Sequence, residues 1–247
     1  MSVLLEGKNT SLWVDTAPET DYPVLKNGLH VDVAVLGGGI AGLTTALLLK
    51  RDGAKVAVGE AGLERVAGFV DELDIDCDFR RKPAFTYAEP GDDAGRIERE
   101  VEAAVRAGLD ATYTRETDLP WPVAAAIRVD GQAEFHPRRY LLALAEAIPG
   151  SGCHVFERSR ALAVAGGREH VRVSTTRGEL TADQVVVATH FPFLDRGGYF
   201  ARMHPERSYG LGLRLKRGAL APQGMYLSTE SPSHTVRSHP TPGGEMV

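Results

Sequence analysis

The apolar positions of this chain switch between two periods, and the switches mark out its elements. Val31-Asp-Val-Ala-Val-Leu36 is a short apolar run bounded by glycines, which suits a buried parallel strand better than an exposed antiparallel one. A helix follows at once: Ile40, Leu43, Leu47 and Leu48 fall at helical spacing, and Gly53 stands where a helix would stop in a left-handed conformation. Lys55-Val-Ala-Val-Gly-Glu60 then reads as a second strand. Leu63, Val66, Ala67, Val70 and Leu73 share one helical face, which predicts an amphipathic helix, and a polar helix is predicted over 92–107.

Thr86-Tyr87 and Leu119 to Val129, with prolines at 120 and 122, suggest edge strands of a separate sheet. Arg138 to Ile148 reads as a helix stopped by Pro149-Gly150. Short alternating runs over 154–175 around Gly166-Gly167 suggest a hairpin, and Gln184 to Thr189 another buried strand. Tyr209 to Leu215 alternates as a strand should, with Gly224 to Thr229 as its expected neighbour. Residues 1–29 follow no sustained period and read as an irregular lead-in that packs on the body through Trp13 and Tyr22.

Composition narrows the function classes. With 43% hydrophobic and 25% charged residues, the chain has enough apolar surface to bury a core, which excludes a disordered reading. A net charge of −5 and no basic stripe with interleaved aromatics argue against nucleic acid as a partner. No apolar run is long enough to span a bilayer and the first residues lack a secretory pattern, so no membrane is expected and a cytoplasmic location is. Cys77 and Cys153 are far apart without ligand spacing and read as reduced thiols.

The strongest chemical signal is Gly37-Gly38-Gly39-Ile40-Ala41-Gly42, a G-x-G-x-x-G lying between a predicted strand and a predicted helix. There Gly37 allows the tight turn, Gly39 lets the backbone approach a pyrophosphate, and Gly42 permits close packing of helix on strand. The helix N-terminus would face the phosphates with free N–H groups and a partial positive charge. Glu60 stands where an acid can accept hydrogen bonds from the adenosine ribose, and its charge argues against a 2′-phosphate and hence NADP. FAD and NAD both remain open on these residues alone.

The run Val33 to Leu43 resembles the opening of the D-amino-acid oxidase and glycine oxidase (DAO) family of FAD-dependent oxidoreductases, and Gly131 to Leu142 is similar to the family segment in which a proline precedes a helix entering the flavin domain. Val185-Val-Val-Ala-Thr-His190 is similar to the family strand that ends in Ala-Thr-Gly, with His190 in the place of the glycine. Trp13, Thr20 to Pro23 and Phe191 to Tyr209 resemble a bacterial subgroup that often carries a C-terminal Rieske domain, for whose cluster this chain has no Cys/His pairs. Two departures stand out. Glu60-Ala-Gly62 runs straight into the Leu63 helix without the family's long Gly/Ser/Thr-rich segment, and the sequence stops at Val247, before the family's final flavin-binding strand and helix.

The resemblance implies an α/β fold: a Rossmann-type FAD-binding domain over 30–75 and 134–195, and a second, β-rich (α+β) substrate domain over 76–133 and 196–247. It implies FAD as cofactor and hydride transfer from a small amine or amino acid to the flavin. The alternative is a non-catalytic, weakly nucleotide-binding remnant of such an enzyme. The expected cofactor contacts are Gly37, Gly38, Gly39, Ile40, Ala41, Gly42 and Glu60, with the backbone near Ala161 and Thr189 on the adenine side. No catalytic residue is assigned. His136, His190 and His204 lack ligand spacing, so no metal site is expected, and Arg202 and Arg207 read as surface arginines. Trp121 and Tyr199-Phe200 fit either a pocket or packing.

Overall fold

The computed structural model describes residues 10–51, 60–166, 169–190, 193–194, 198–204, 206–216, 219–241 and 244–247. In chain order the elements are α1 (Leu12–Asp15), β1 (Leu29–Leu36), α2 (Ile40–Lys50), α3 (Glu60–Glu72), β2 (Arg80–Ala88), α4 (Ala94–Arg106), β3 (Ala111–Thr114), β4 (Ala125–Glu134) and α5 (Pro137–Ala147). They continue as β5 (Ala161–Gly166), β6 (Val171–Thr175), β7 (Glu179–Val187), β8 (Met225–Ser228), β9 (Thr235–Val236), β10 (His239–Thr241) and β11 (Gly244–Met246). The chain divides into two units, one of residues 1–77 with 136–209, the other of 78–135 with 210–247. No helix among the described residues is long and apolar enough to cross a membrane.

The first unit is the α/β, Rossmann-type one. Its sheet runs β1-β7-β6-β5, with β1 parallel to β7 and the other pairs antiparallel. The β5–β6 hairpin is the one expected from the alternation around Gly166. Leu25, Ala34, Val173, Leu180 and Ala182 are buried at its centre, with Val31, Leu36, Phe156 and Val185 packed around them. Of β1 only Ala34 is fully buried, so this strand is less enclosed than its apolar run suggests.

In α2 the buried side is Gly42, Leu47 and Leu48. Lys50 near its end donates to the Ala147 and Pro149 carbonyls at 2.8 and 3.1 Å, a cation on the negative end of α5. Gly53 and most of the expected second strand, 55–59, fall outside the described residues. Glu60 is the first residue of α3. Phe69 of α3 is buried, and the Arg51 guanidinium lies 4.9 Å over its ring.

The lead-in is tied down as its composition suggests. Trp13 meets the His136 ring edge-on at 4.8 Å, and half-buried Tyr22 donates its backbone N–H to Glu157 at 3.2 Å. His136 itself is a structural residue. Its Nδ1 accepts from the Arg139 N–H at 3.2 Å, capping α5, and Nε2 lies 2.9 Å from Thr16 Oγ1, which donates to the Leu12 carbonyl. Both cysteines are free thiols.

The second unit is a five-stranded sheet, β3-β4-β2-β8-β9, with α4 packed on it. Ile97 of α4 is buried against Ala88 and Ala125, and a second cluster joins Phe85, Tyr87, Leu119, Ala126 and Tyr226, with the Phe85 and Tyr226 rings stacked at 4.8 Å. The expected edge strands are interior ones: β4 lies between β3 and β2, and β2 between β4 and β8. The sheet tolerates Pro83 because its register shifts between Lys82 and Ala84, while Pro120 and Pro122 precede the strand.

Tyr209 to Leu215 is not a strand of that sheet, which corrects the alternation reading. Leu213 exchanges N–H···O bonds of 2.7 and 2.9 Å with Val247, and Arg214 bridges Met246, while Tyr209 is 94% and Leu211 72% exposed. The neighbours of β8 are β2 and β9 instead.

Candidate dinucleotide-binding site

The glycine turn between β1 and α2 is built against the end of β7. Ala188 donates its N–H to the Leu36 carbonyl at 2.8 Å, which extends the parallel ladder to the turn. Gly37 has φ +124°, and a side-chain carbon there would stand 2.3 Å from the Ala188 carbonyl oxygen. One on Gly42 would stand 1.9 Å from the Gly37 carbonyl oxygen. Both positions admit only glycine, for reasons internal to the fold.

Gly38 and Gly39 differ: nothing lies within 4 Å of where a side-chain carbon would be. Residues 37–41 are exposed, Gly42 is buried, and Gly39 caps α2 with no side-chain acceptor for the first N–H groups. Backbone donors at the positive end of an eleven-residue helix are therefore presented to open space, the arrangement that receives a phosphate.

Gly37, Gly38, Gly42, Ala161 and Thr189, from three segments far apart in sequence, line one cavity of about 1100 Å³. That is slightly above the ~300–1,000 Å³ usual for ligand sites. Gly39, Ile40 and Ala41 are not among its lining residues, and the side chain of Glu60 lies outside the described part of the structure.

The segment Ser151 to Phe156 also lines the cavity. The alternation predicts a hairpin from 154. The hairpin starts at Ala161, and the apolar pair Val155-Phe156 after α5 was the available signal.

His190, at the end of β7, has φ +64°, a left-handed backbone where glycine costs nothing and a histidine is strained. Its side chain is exposed, as are His204, Arg202 and Arg207. Trp121 is 38% exposed and hydrogen-bonds Tyr87, whose hydroxyl pKa is pushed up by burial and then by Glu89. The side chains of Tyr199 and Phe200 lie outside the described part.

A family model described as FAD dependent oxidoreductase (DAO) matches residues 57–247. The chain is 28% identical to the Rieske 2Fe-2S iron-sulfur protein YhfW of Bacillus subtilis, over 95% of this chain and 55% of that protein. It is 24% identical to the oxidoreductase OrdL of Haemophilus influenzae, over 68% of this chain and 51% of that one. The chain thus spans about half the length of these curated relatives. The match to YhfW runs over 280 aligned positions against a chain of 247 residues, so that relative carries residues with no counterpart here.

Among solved structures, glycine oxidase from Geobacillus kaustophilus superposes with a TM-score of 0.66 at 17% identity, covering 89% of this chain and 70% of that one. NikD, an amino acid oxidase of nikkomycin biosynthesis, gives 0.64 at 14%, covering 89% and 69%. L-Proline dehydrogenase from P. horikoshii gives 0.60 at 16%, covering 90% and 69%. At these identities the likeness is one of fold.

Proposed function

We propose that this chain, which belongs to the DAO family of FAD-dependent oxidoreductases, holds the adenosine diphosphate half of FAD at the Gly37–Gly42 turn and serves an enzyme acting on a small amine or amino acid. The observation that carries the reading is the pairing of a glycine turn closed by Ala188 with an open helix N-terminus beside one large cavity. The residues present fit the dinucleotide half: a Cβ at Gly38 or Gly39 would meet no atom within 4 Å, which leaves room for a phosphate before the α2 N-terminus.

In this reading Gly37, Gly39 and Gly42 keep the backbone close to the pyrophosphate, Glu60 accepts from the ribose hydroxyls, and the backbone near Ala161 and Thr189 meets the adenine side. The α2 dipole offsets phosphate charge. FAD, when bound, supplies the chemistry by accepting a hydride from the substrate C–H, and the protein contributes orientation and exclusion of water. The β-rich unit would take the substrate. The likeness to a glycine oxidase, an amino acid oxidase and an L-proline dehydrogenase supports an amino-acid class of substrate.

The test is the visible spectrum of the purified protein, with acid release and quantification of any chromophore, followed by anaerobic addition of glycine, proline and other amino acids. Bound FAD that bleaches with one of them supports the proposal. A colourless protein that takes up no added FAD would instead make the chain a nucleotide-binding remnant.

A further inference from the structure

At the end of the first unit's sheet opposite the glycine turn, three strands bring together side chains that the dinucleotide reading does not use. His30 stands on β1, Asp183 on β7, and His170 immediately precedes β6. The ladders account for the meeting. His30 is opposite Thr181 in the parallel pair β1–β7, and Val171 is opposite Ala182 in the antiparallel pair β6–β7, so the next step sets His170 beside Asp183. Because neighbouring residues alternate faces, His30, Thr181, Asp183 and His170 share the face away from buried Leu180 and Ala182.

His170 Nδ1 lies 2.9 Å and His30 Nε2 3.6 Å from the same Asp183 oxygen, and one ligand atom from each of the three residues falls within 4.8 Å of the others. The two imidazole rings meet edge to face at 4.9 Å. We propose that His30, His170 and Asp183 form a surface site for a divalent transition metal ion, with Zn²⁺ the chemical type the donors suit.

The donor set is two imidazoles and a carboxylate, which favours zinc, copper or nickel over calcium or magnesium. Ligand atoms on a tetrahedral ion with bonds of ~2.0–2.1 Å stand roughly 3.3 Å apart, so the observed 2.9 and 3.6 Å need only small side-chain shifts. His30 Nδ1 is 3.0 Å from Thr181 Oγ1; with Nδ1–H as donor, Nε2 keeps its lone pair on the side of Asp183. A partner behind the ring that fixes tautomer and direction is what metal-binding histidines commonly have.

All three ligands sit on or next to paired strands, so little backbone ordering accompanies binding. Their side chains are about half exposed, which leaves the remaining coordination positions to water. The ion would clip β1, β7 and β6 together, and β1 runs directly into the Gly37 turn.

The full chain, freed of metal by a chelator, is titrated with Co²⁺ in the visible range and with Zn²⁺ by calorimetry, alongside thermal unfolding. One equivalent of Zn²⁺, Co²⁺ ligand-field bands that Zn²⁺ displaces, and a Tm that rises with Zn²⁺ concentration are expected. The H30A/H170A double variant should lose the bands and the metal-dependent rise but keep its metal-free Tm, since both histidines are exposed. Thr181→Val, which leaves every ligand in place, should weaken Zn²⁺ roughly 10–100-fold. Wild type that binds no more Zn²⁺ than the double variant, or Co²⁺ spectra with thiolate charge-transfer bands from Cys77 or Cys153, would overturn the assignment.

Discussion

Gly37 and Ala188 are packed so closely that a side-chain carbon on Gly37 would fall 2.3 Å from the Ala188 carbonyl oxygen, although 151 positions of sequence separate them. The neighbouring Gly38 and Gly39 meet nothing within 4 Å. Glycines of one motif therefore answer to two different constraints, and substitution separates them. Gly37→Ala and Gly42→Ala should destabilise the folded protein by ~2 kcal/mol or more, through backbone displacement at a strained or closed position. Gly39→Ala should leave the Tm of the cofactor-free protein nearly unchanged while reducing FAD uptake. Equal loss of stability in all three variants would sink the distinction.

His190 is held with φ +64° at the end of β7 and is exposed. His190→Gly should relieve the left-handed strain and stabilise the chain by up to ~1 kcal/mol, in spite of glycine's greater freedom when unfolded. Urea unfolding with an unchanged m-value would read this directly. A lower midpoint would show that the histidine side chain contributes more than its backbone costs.

Lys82 and Glu134 form an ion pair of 2.9 Å, their side chains 8% and 10% exposed, with Arg80 also on Glu134 and Ser238 Oγ 3.0 Å from the ammonium. Glu134→Ala leaves two cations facing one another with their shared carboxylate gone. The expected loss is ~3–5 kcal/mol, the range for breaking a buried pair from one side. Lys82→Met, which keeps the Arg80–Glu134 pair and much of the apolar stem, should cost clearly less. Denaturant midpoints of the two variants decide the order.

His136 caps α5 through Nδ1 and is fully buried. His136→Ala should cost ~1–2 kcal/mol from the cap, with more if the Trp13 contact is loosened. His136→Asn, whose carbonyl can accept from the same N–H, should recover part of that in thermal unfolding. If both variants unfold at the same temperature, the cap is not what His136 contributes.

Burial raises the Tyr140 hydroxyl above its ordinary value of 10.0, with the Thr44 hydroxyl opposing the rise and the Cys77 thiol adding to it. The folded protein then holds a proton that the unfolded chain releases. The contribution is fully present below pH ~10 and is lost as the pH rises through the folded value. Absorbance titration near 295 nm should show one tyrosine ionising late, and Tyr140→Phe should flatten the fall of Tm at alkaline pH.

The elements legible in sequence are those written by a local period. The Val31–Leu36 run gave β1, the spacing of Ile40, Leu43, Leu47 and Leu48 gave α2, and the hairpin around Gly166 needed only its own alternation. The G-x-G-x-x-G turn could be placed because strand and helix flank it directly. Period 2 does not say which strands become neighbours, so β2 and β4 read as edges but are interior, and the alternating Tyr209–Leu215 reads as a partner of β8 but bonds through residues 213–215 to 245–247 instead. The sequence by itself determined that a glycine turn joins a strand directly to a helix and where it lies. Only the tertiary structure set Ala188 behind Gly37, brought Ala161 and Thr189 to the same cavity, and joined His30 to His170 and Asp183. The reason is that pairing between distant strands depends on which apolar faces can be buried together, and no short window of sequence contains that comparison.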